Sequence, residues 1–287
     1  MHYSSPQPSN FVNNGKGFVV NKLDFDALFD VSSPIFALDH FLMSEPTFPP
    51  HPHAGFSAVT YVLPSSNNSI LNRDSHGHEA IVRPGDLAWT LAGRGVKHEE
   101  VPLQRGVNVE GIQLFVKLSP ENESMPAEGF AVKREQMPIV NVQNSIIRVL
   151  TGTYRDTSSA LSLPEPFNYL HITSQKEDTL SIPLSAQSGG LVYVLEGQAT
   201  LNPQMALEDT KDRSTLEKNG VQAFNAKEDT ALELRLSAGA QVLVLHGQHH
   251  GLPLYSSGPF AMYSKQRLTE AKAANAVGKM GNLLPYQ

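Results

Sequence analysis

Four side chains in the first half of the chain have the types and spacing of metal ligands. His51 and His53 lie two apart in "FPPHPHAGF", and His98 and Glu100 lie two apart in "GVKHEEV". Successive side chains of a strand point to opposite faces, so each pair shares a face while Glu99 points away. Two adjacent strands presenting these pairs inward would offer three imidazoles and one carboxylate. Imidazole serves Fe, Zn, Cu or Ni, and a carboxylate shifts the balance toward Fe or Mn. An octahedral ion held by four such groups keeps two positions open for substrate or O₂, unlike a closed tetrahedral zinc with a structural role. A His-x-His beside prolines is also a common surface turn, and spacing alone leaves both readings standing.

Positioning such ligands calls for strands, and the chain is rich in them. Short runs of Val, Ile, Leu, Phe and Tyr recur at 35–42, 57–63, 80–82, 87–91, 109–118 and 145–152, then at 169–173, 180–183, 191–195, 199–202, 221–224, 231–236 and 241–245. Turn residues separate them, which argues for all-β sandwiches or barrels. Pro84 and Gly85 read as a turn, and Gly93 and Gly95 let the backbone bend ahead of His98. "TYVL" at 60–63 and "VYVL" at 192–195 open similar strand-turn-strand progressions, which suggests a duplicated barrel with a linker at 119–138. A helix is expected only in "SKQRLTEAKAANAVG", with Ser264 as N-cap and Gly278 as its stop.

Composition narrows the chemistry. With 287 residues the chain has room for two domains, and without any Cys it has no thiolate ligands, thiol nucleophiles or disulfides. A net charge of -6 with dispersed Lys and Arg gives direct nucleic-acid or membrane binding no electrostatic basis. No signal peptide or apolar span is apparent, so a cytoplasmic protein is expected. His76 and His78 sit around a Gly in a polar turn and read as solvated. His246, His249 and His250 lack a matching carboxylate and read as loop or interface residues. Trp89 reads as core, and Arg73 and Asp74 as turn residues.

Taken in order, "HPHAGFSAVTYVL", "NRDSHG", "VRPGDLAWTLAGRGVKHEEVP" and "GIQLFVKLSP" resemble the signature of the pirins, a family of bicupin proteins. Weaker similarity extends through "SSPIFALDHF", "IIRVLTGTY" and "GPFAMYSKQRLTEAKAANAVGKMG" over nearly the whole chain. The resemblance implies an all-β protein with two cupin-type (jelly-roll) barrels packed together and a C-terminal helix: residues 1–130 carrying the metal site and 131–287 metal-free. It implies one divalent metal, Fe2+ before Mn, Ni, Cu, Zn or Co, on His51, His53, His98 and Glu100. Family members usually have Arg and Glu where Ala54 and Ser57 stand, His at Asn72, and Gln-Trp-Met-Thr in place of Ala88-Trp89-Thr90-Leu91. All four ligand positions are kept, and the departures fall among residues that would orient them.

Several pirin relatives open flavonols with O₂, so the resemblance implies a quercetin 2,3-dioxygenase type of oxidoreductase. Glu100 would take the flavonol hydroxyl proton, and one carbon would leave as CO. The alternative, from another class, is a metal-dependent regulatory binding protein, a transcription co-regulator or enzyme modulator that docks on a protein partner with little turnover. A monomer is expected in either case. Cupin barrels host many activities, so the site must decide.

Overall fold

The computed structural model describes residues 1–202 and 215–286. Two compact units divide the chain, and neither is a single continuous segment. Met1–Asn10, Leu23–Ile35 and Glu135–His250 form one; Phe11–Lys22, Phe36–Arg134 and Gly251–Gln287 form the other. One junction falls between 134 and 135, while segments near both ends join the unit remote in sequence. Backbone pairing explains this. His2 and Tyr3 pair with Asn225 and Phe224, and Ala54 bridges to Phe260.

The unit carrying the candidate ligands has two main sheets. One runs in the order Glu128–Val132, Leu87–Leu91, Phe56–Val62, Val109–Lys117, Ile35–Met43, Phe18–Lys22 and Asn10–Asn13. The other runs His51–His53, Val96–Pro102, Ile70–Asp74 and Glu79–Val82. Alternation along the strands gives the larger sheet an apolar inner face, and Phe18, Val20 and Phe41 there form one cluster with Ile70 and Val82 of the smaller sheet. Burying such a side chain contributes about 1.5–3 kcal/mol. Trp89 is core, as its setting among apolar neighbours suggests. Arg73 and Asp74, expected in a turn, instead end the strand Ile70–Asp74, whose polar alternation hides its strand character.

The segment 119–138 is not a free linker. Its Glu128–Val132 stretch pairs along Leu87–Leu91. Glu123 is buried, accepting from Lys117 Nζ at 2.5 Å, Arg267 Nη1 at 2.7 Å and the Tyr263 amide at 2.7 Å. The buried Lys117 ammonium also donates to the Gly55 and Leu118 carbonyls and stands 4.2 Å from the centre of the Tyr263 ring. The charges of Glu123 and Lys117 are thus internal and paired. Glu123→Ala strands Lys117 without its counter-charge, and chemical denaturation is expected to show a loss of about 3–5 kcal/mol. The helix Lys265–Ala276 starts as expected, with Ser264 Oγ accepting from the Arg267 amide at 3.1 Å.

The other unit repeats the plan. Its larger sheet contains Gly220–Ala226, Ser188–Glu196, Gln241–Gln248, Phe167–Ser174, Ser145–Thr151 and Ile139–Val142 in that order, and its smaller sheet contains Asp178–Leu184, Thr230–Leu236, Ala199–Leu201 and Thr215–Leu216. Val149, Ile172, Val192 and Val244 of the first meet Leu180, Ile182 and Leu234 of the second in one core. The expected all-β architecture of two cupin domains with a C-terminal helix is what the chain adopts. Among the described residues no helix is long and apolar enough to cross a membrane.

His246 departs from expectation. It is buried within the strand Gln241–Gln248, because the apolar run before it continues the strand two residues past it. Burial pushes its pKa down to about 4. His171 is likewise held at about 4, by burial first and by the Arg148 charge, against a hydrogen bond to Gln241. A folded pKa below the ordinary value of about 6.5 means that the unfolded chain binds the extra proton. The stability is complete above pH 6.5 and is lost as pH falls toward 4. By pH 5 each histidine is expected to cost about 2 kcal/mol, and His246→Leu should flatten the fall in urea midpoint between pH 7 and 5.

Candidate metal centre

Antiparallel pairing places His51 opposite His98 and His53 opposite Val96. The inward faces of two neighbouring strands thereby bring three imidazoles together. Their ring centres lie 4.6–4.8 Å apart, and one ligand atom from each falls within 4.8 Å of the others. Gly95 makes the approach to His98 feasible: at φ +131° it packs against Met280, where a Cβ would come within 2.6 Å of side-chain carbons. Gly55, after the His51–His53 strand, has φ +87° and passes so close to the Ala261 carbonyl that a side chain is excluded.

All three rings are held neutral. Burial lowers the His51 pKa, with the Pro49 carbonyl and the Glu99 carboxylate opposing. His53 is pushed down to about 3 by burial and by His51. His98 is driven well below the usual range by burial and both neighbours. Neutral imidazole is the metal-binding form. His51 Nδ1 lies 3.0 Å from the Pro49 carbonyl, which holds its proton on that side and bares Nε2. That Nε2 faces His98 Nε2 at 3.1 Å. Two nitrogens each about 2.1 Å from one ion, at right angles, stand about 3.0 Å apart. His98 Nδ1 is buried and without a hydrogen-bond partner among the described residues. This donor set fits a transition-metal ion.

Glu100 lines the same cavity but lies outside that cluster. Its Oε1 is engaged by Thr60 Oγ1 and, at 3.3 Å, by Asn72 Nδ2. Pairing of Glu100 with Asn72 across neighbouring strands sets this contact. Thr60 Oγ1 also lies 2.9 Å from Gln113 Oε1. A hydroxyl has one proton, so it serves both only if Glu100 is protonated and donates to it, or if the Gln113 amide turns to donate. Burial pushes the Glu100 carboxyl up to about 7, against the Thr60 hydrogen bond.

Glu99 faces the other way as expected, accepting from Arg73 Nε at 3.1 Å and the Tyr286 amide at 2.9 Å. His78 is exposed in the turn, with Nδ1 2.8 Å from Asp74 Oδ2. Neither joins the cluster. The cavity encloses about 450 Å³ and its walls include Phe18, Phe41, Phe48, Phe115 and Ile70. Phe115 and Phe56 stand edge-on to His53 at 5.4 and 5.0 Å. Thr60, Gln113 and the aromatic wall carry no spacing signal that reveals them in the sequence; Asn72 shows only as a departure from the pirin pattern.

Two family models match the chain, Pirin over residues 14–116 and the Pirin C-terminal cupin domain over residues 169–281. The chain belongs to the pirin family. Pirins similar to it include a pirin-like protein of Arabidopsis thaliana, 27% identical over 90% of this chain and 83% of that one. The pirin of Rattus norvegicus is 27% identical over 83% of this chain and 79% of its own. A crystal structure of quercetin 2,3-dioxygenase from Acinetobacter baumannii superposes with a TM-score of 0.80, at 28% identity, over 99% of this chain and 98% of that one.

Proposed function

We propose that this pirin is an iron-dependent dioxygenase that opens flavonols such as quercetin. The observation that carries the reading is the cavity itself: three neutral imidazoles and a carboxyl with a pKa near 7 open into one aromatic-walled space. His51, His53 and His98 would hold the metal, with Glu100 as fourth ligand and base. Fe2+, when bound, supplies Lewis acidity toward the flavonol oxygens and redox chemistry for O₂. The relative from Acinetobacter baumannii supports the choice of substrate class.

The residues of the chain do the rest. The Phe walls receive the flat rings and keep water away from the reacting carbons. Glu100 takes the proton of the flavonol hydroxyl; a carboxyl near pH 7 is well matched to accept and release it. Thr60 and Asn72 fix the carboxylate while it does so, and Pro49 keeps the His51 proton away from the cavity. Iron-loaded protein incubated aerobically with quercetin is expected to consume the flavonol absorbance with stoichiometric O₂ uptake. Metal uptake without either change would overturn the dioxygenase and favour a metal-dependent regulatory protein.

A further inference from the structure

Polar groups at one edge of the cavity are used neither by the histidine cluster nor by the sheet. The strands Phe18–Lys22 and Ile35–Met43 line the cavity in cross-strand pairs: Phe18 with Met43, Val20 with Phe41, and Lys22 with Asp39. The apolar wall therefore ends at Lys22 and Asp39. Asp39 Oδ1 is buried and has no hydrogen-bond partner among the described residues. Gln113, on the neighbouring strand, gives one amide atom to Thr60, and its Nε2 has no partner among the described residues. Turning that amide would exchange an unpaired donor for an unpaired acceptor. Phe41 packs on Gly111, where a Cβ would lie 2.6 Å from its ring, and Phe36 lies 5.7 Å from Phe115. These contacts bracket Asp39 and Gln113 between them.

Buried polar atoms left unpaired are costly, and such atoms grouped in a cavity mark where a ligand completes the hydrogen bonds. We propose that Asp39 and Gln113 form a second recognition point, which binds a phenolic hydroxyl of an aromatic ligand whose other end reaches the histidine cluster. A phenol suits both side chains: it donates to Asp39 Oδ1, and it accepts from the Gln113 amide or donates to it. A methyl ether lacks the proton, and a ligand carboxylate would be repelled by the Asp39 charge. Burial raises the pKa of Asp39, and the Lys22 charge opposes it. The ligand class is accordingly a polyhydroxylated aromatic with a hydroxyl beyond those that would reach the metal. This subsite rests on the reading of the cavity as a flavonol site.

The test is anaerobic calorimetric titration of metal-loaded protein with quercetin and with 3-hydroxyflavone, which keeps the metal-facing oxygens and lacks every other hydroxyl. The wild type is expected to prefer quercetin by about tenfold or more, since a site built to pair a hydroxyl rejects the analogue without it. Asp39→Leu and, separately, Gln113→Leu should reduce that preference to about twofold or less, with Asp39→Asn retaining part of it. Circular dichroism melts identify any variant that fails to fold, and Asp39→Asn, closest in shape, then decides. An undiminished preference in the variants, equal affinity in the wild type, or no binding of either compound overturns the subsite. Because no turnover is read, a protein that shows the hydroxyl preference yet never opens the ring retains this subsite while losing the activity proposed above.

Discussion

His98→Ala is expected to empty the metal site. The His98 ring faces both other imidazoles, with its Nε2 3.1 Å from that of His51. Altering only the partners of a metal-bound histidine weakens affinity about 10–100-fold, so removal of a ligand should exceed about 100-fold. Two readouts follow. Metal content after purification without chelator falls to a small fraction of that of the wild type, and the rise in melting temperature that added Fe2+ gives the wild type disappears, because only native-state binding stabilises. His246→Ala serves as the control: that histidine is equally buried but lies in the other unit, outside the cluster, and its loss should leave metal content intact. Equal metal content in His98→Ala and wild type would remove the metal assignment.

Glu100→Gln separates proton transfer from ligation. Glutamine keeps the shape of the side chain and can still meet Thr60 and Asn72, yet it cannot accept the flavonol proton. Losing a positioned general base lowers turnover by about 10²–10⁴-fold. With His51, His53 and His98 intact, metal is expected to remain, so stopped absorbance decay in metal-replete protein isolates the role of the base. Turnover at the wild-type rate would exclude Glu100 as the base. Metal lost together with activity would mark it as a dominant ligand.

The sequence exposes the clustered histidines because strand alternation is a local rule: two residues apart is one face, whatever the rest of the chain does. His51, His53 and His98 needed only that rule and one strand pairing. The other parts of the site depend on pairings between distant strands, to which no local pattern points. Thr60 and Asn72 reach Glu100 from two different strands and Gln113 reaches Thr60 from a third, and each reads alone as an ordinary polar strand residue. Segment 119–138 misleads for the opposite reason. Its charged composition suggests solvent, whereas Glu123 is neutralised internally by Lys117 and Arg267. His246 shows the same limit, since a strand's end is set by its partner Asn168 across the sheet as much as by its own residues.

The bridge between Ala54 and Phe260 also has a consequence for biosynthesis. Domains emerging from a ribosome generally fold in order, N-terminal first. Here Ala54, next after the strand bearing His51 and His53, packs with Phe260 and Met262, and the Lys97 amide donates to the Met280 carbonyl. A nascent chain halted before residue 260 would carry every histidine of the cluster but none of that support. The backing of the histidine cluster is therefore complete only once the chain has been translated past residue 280.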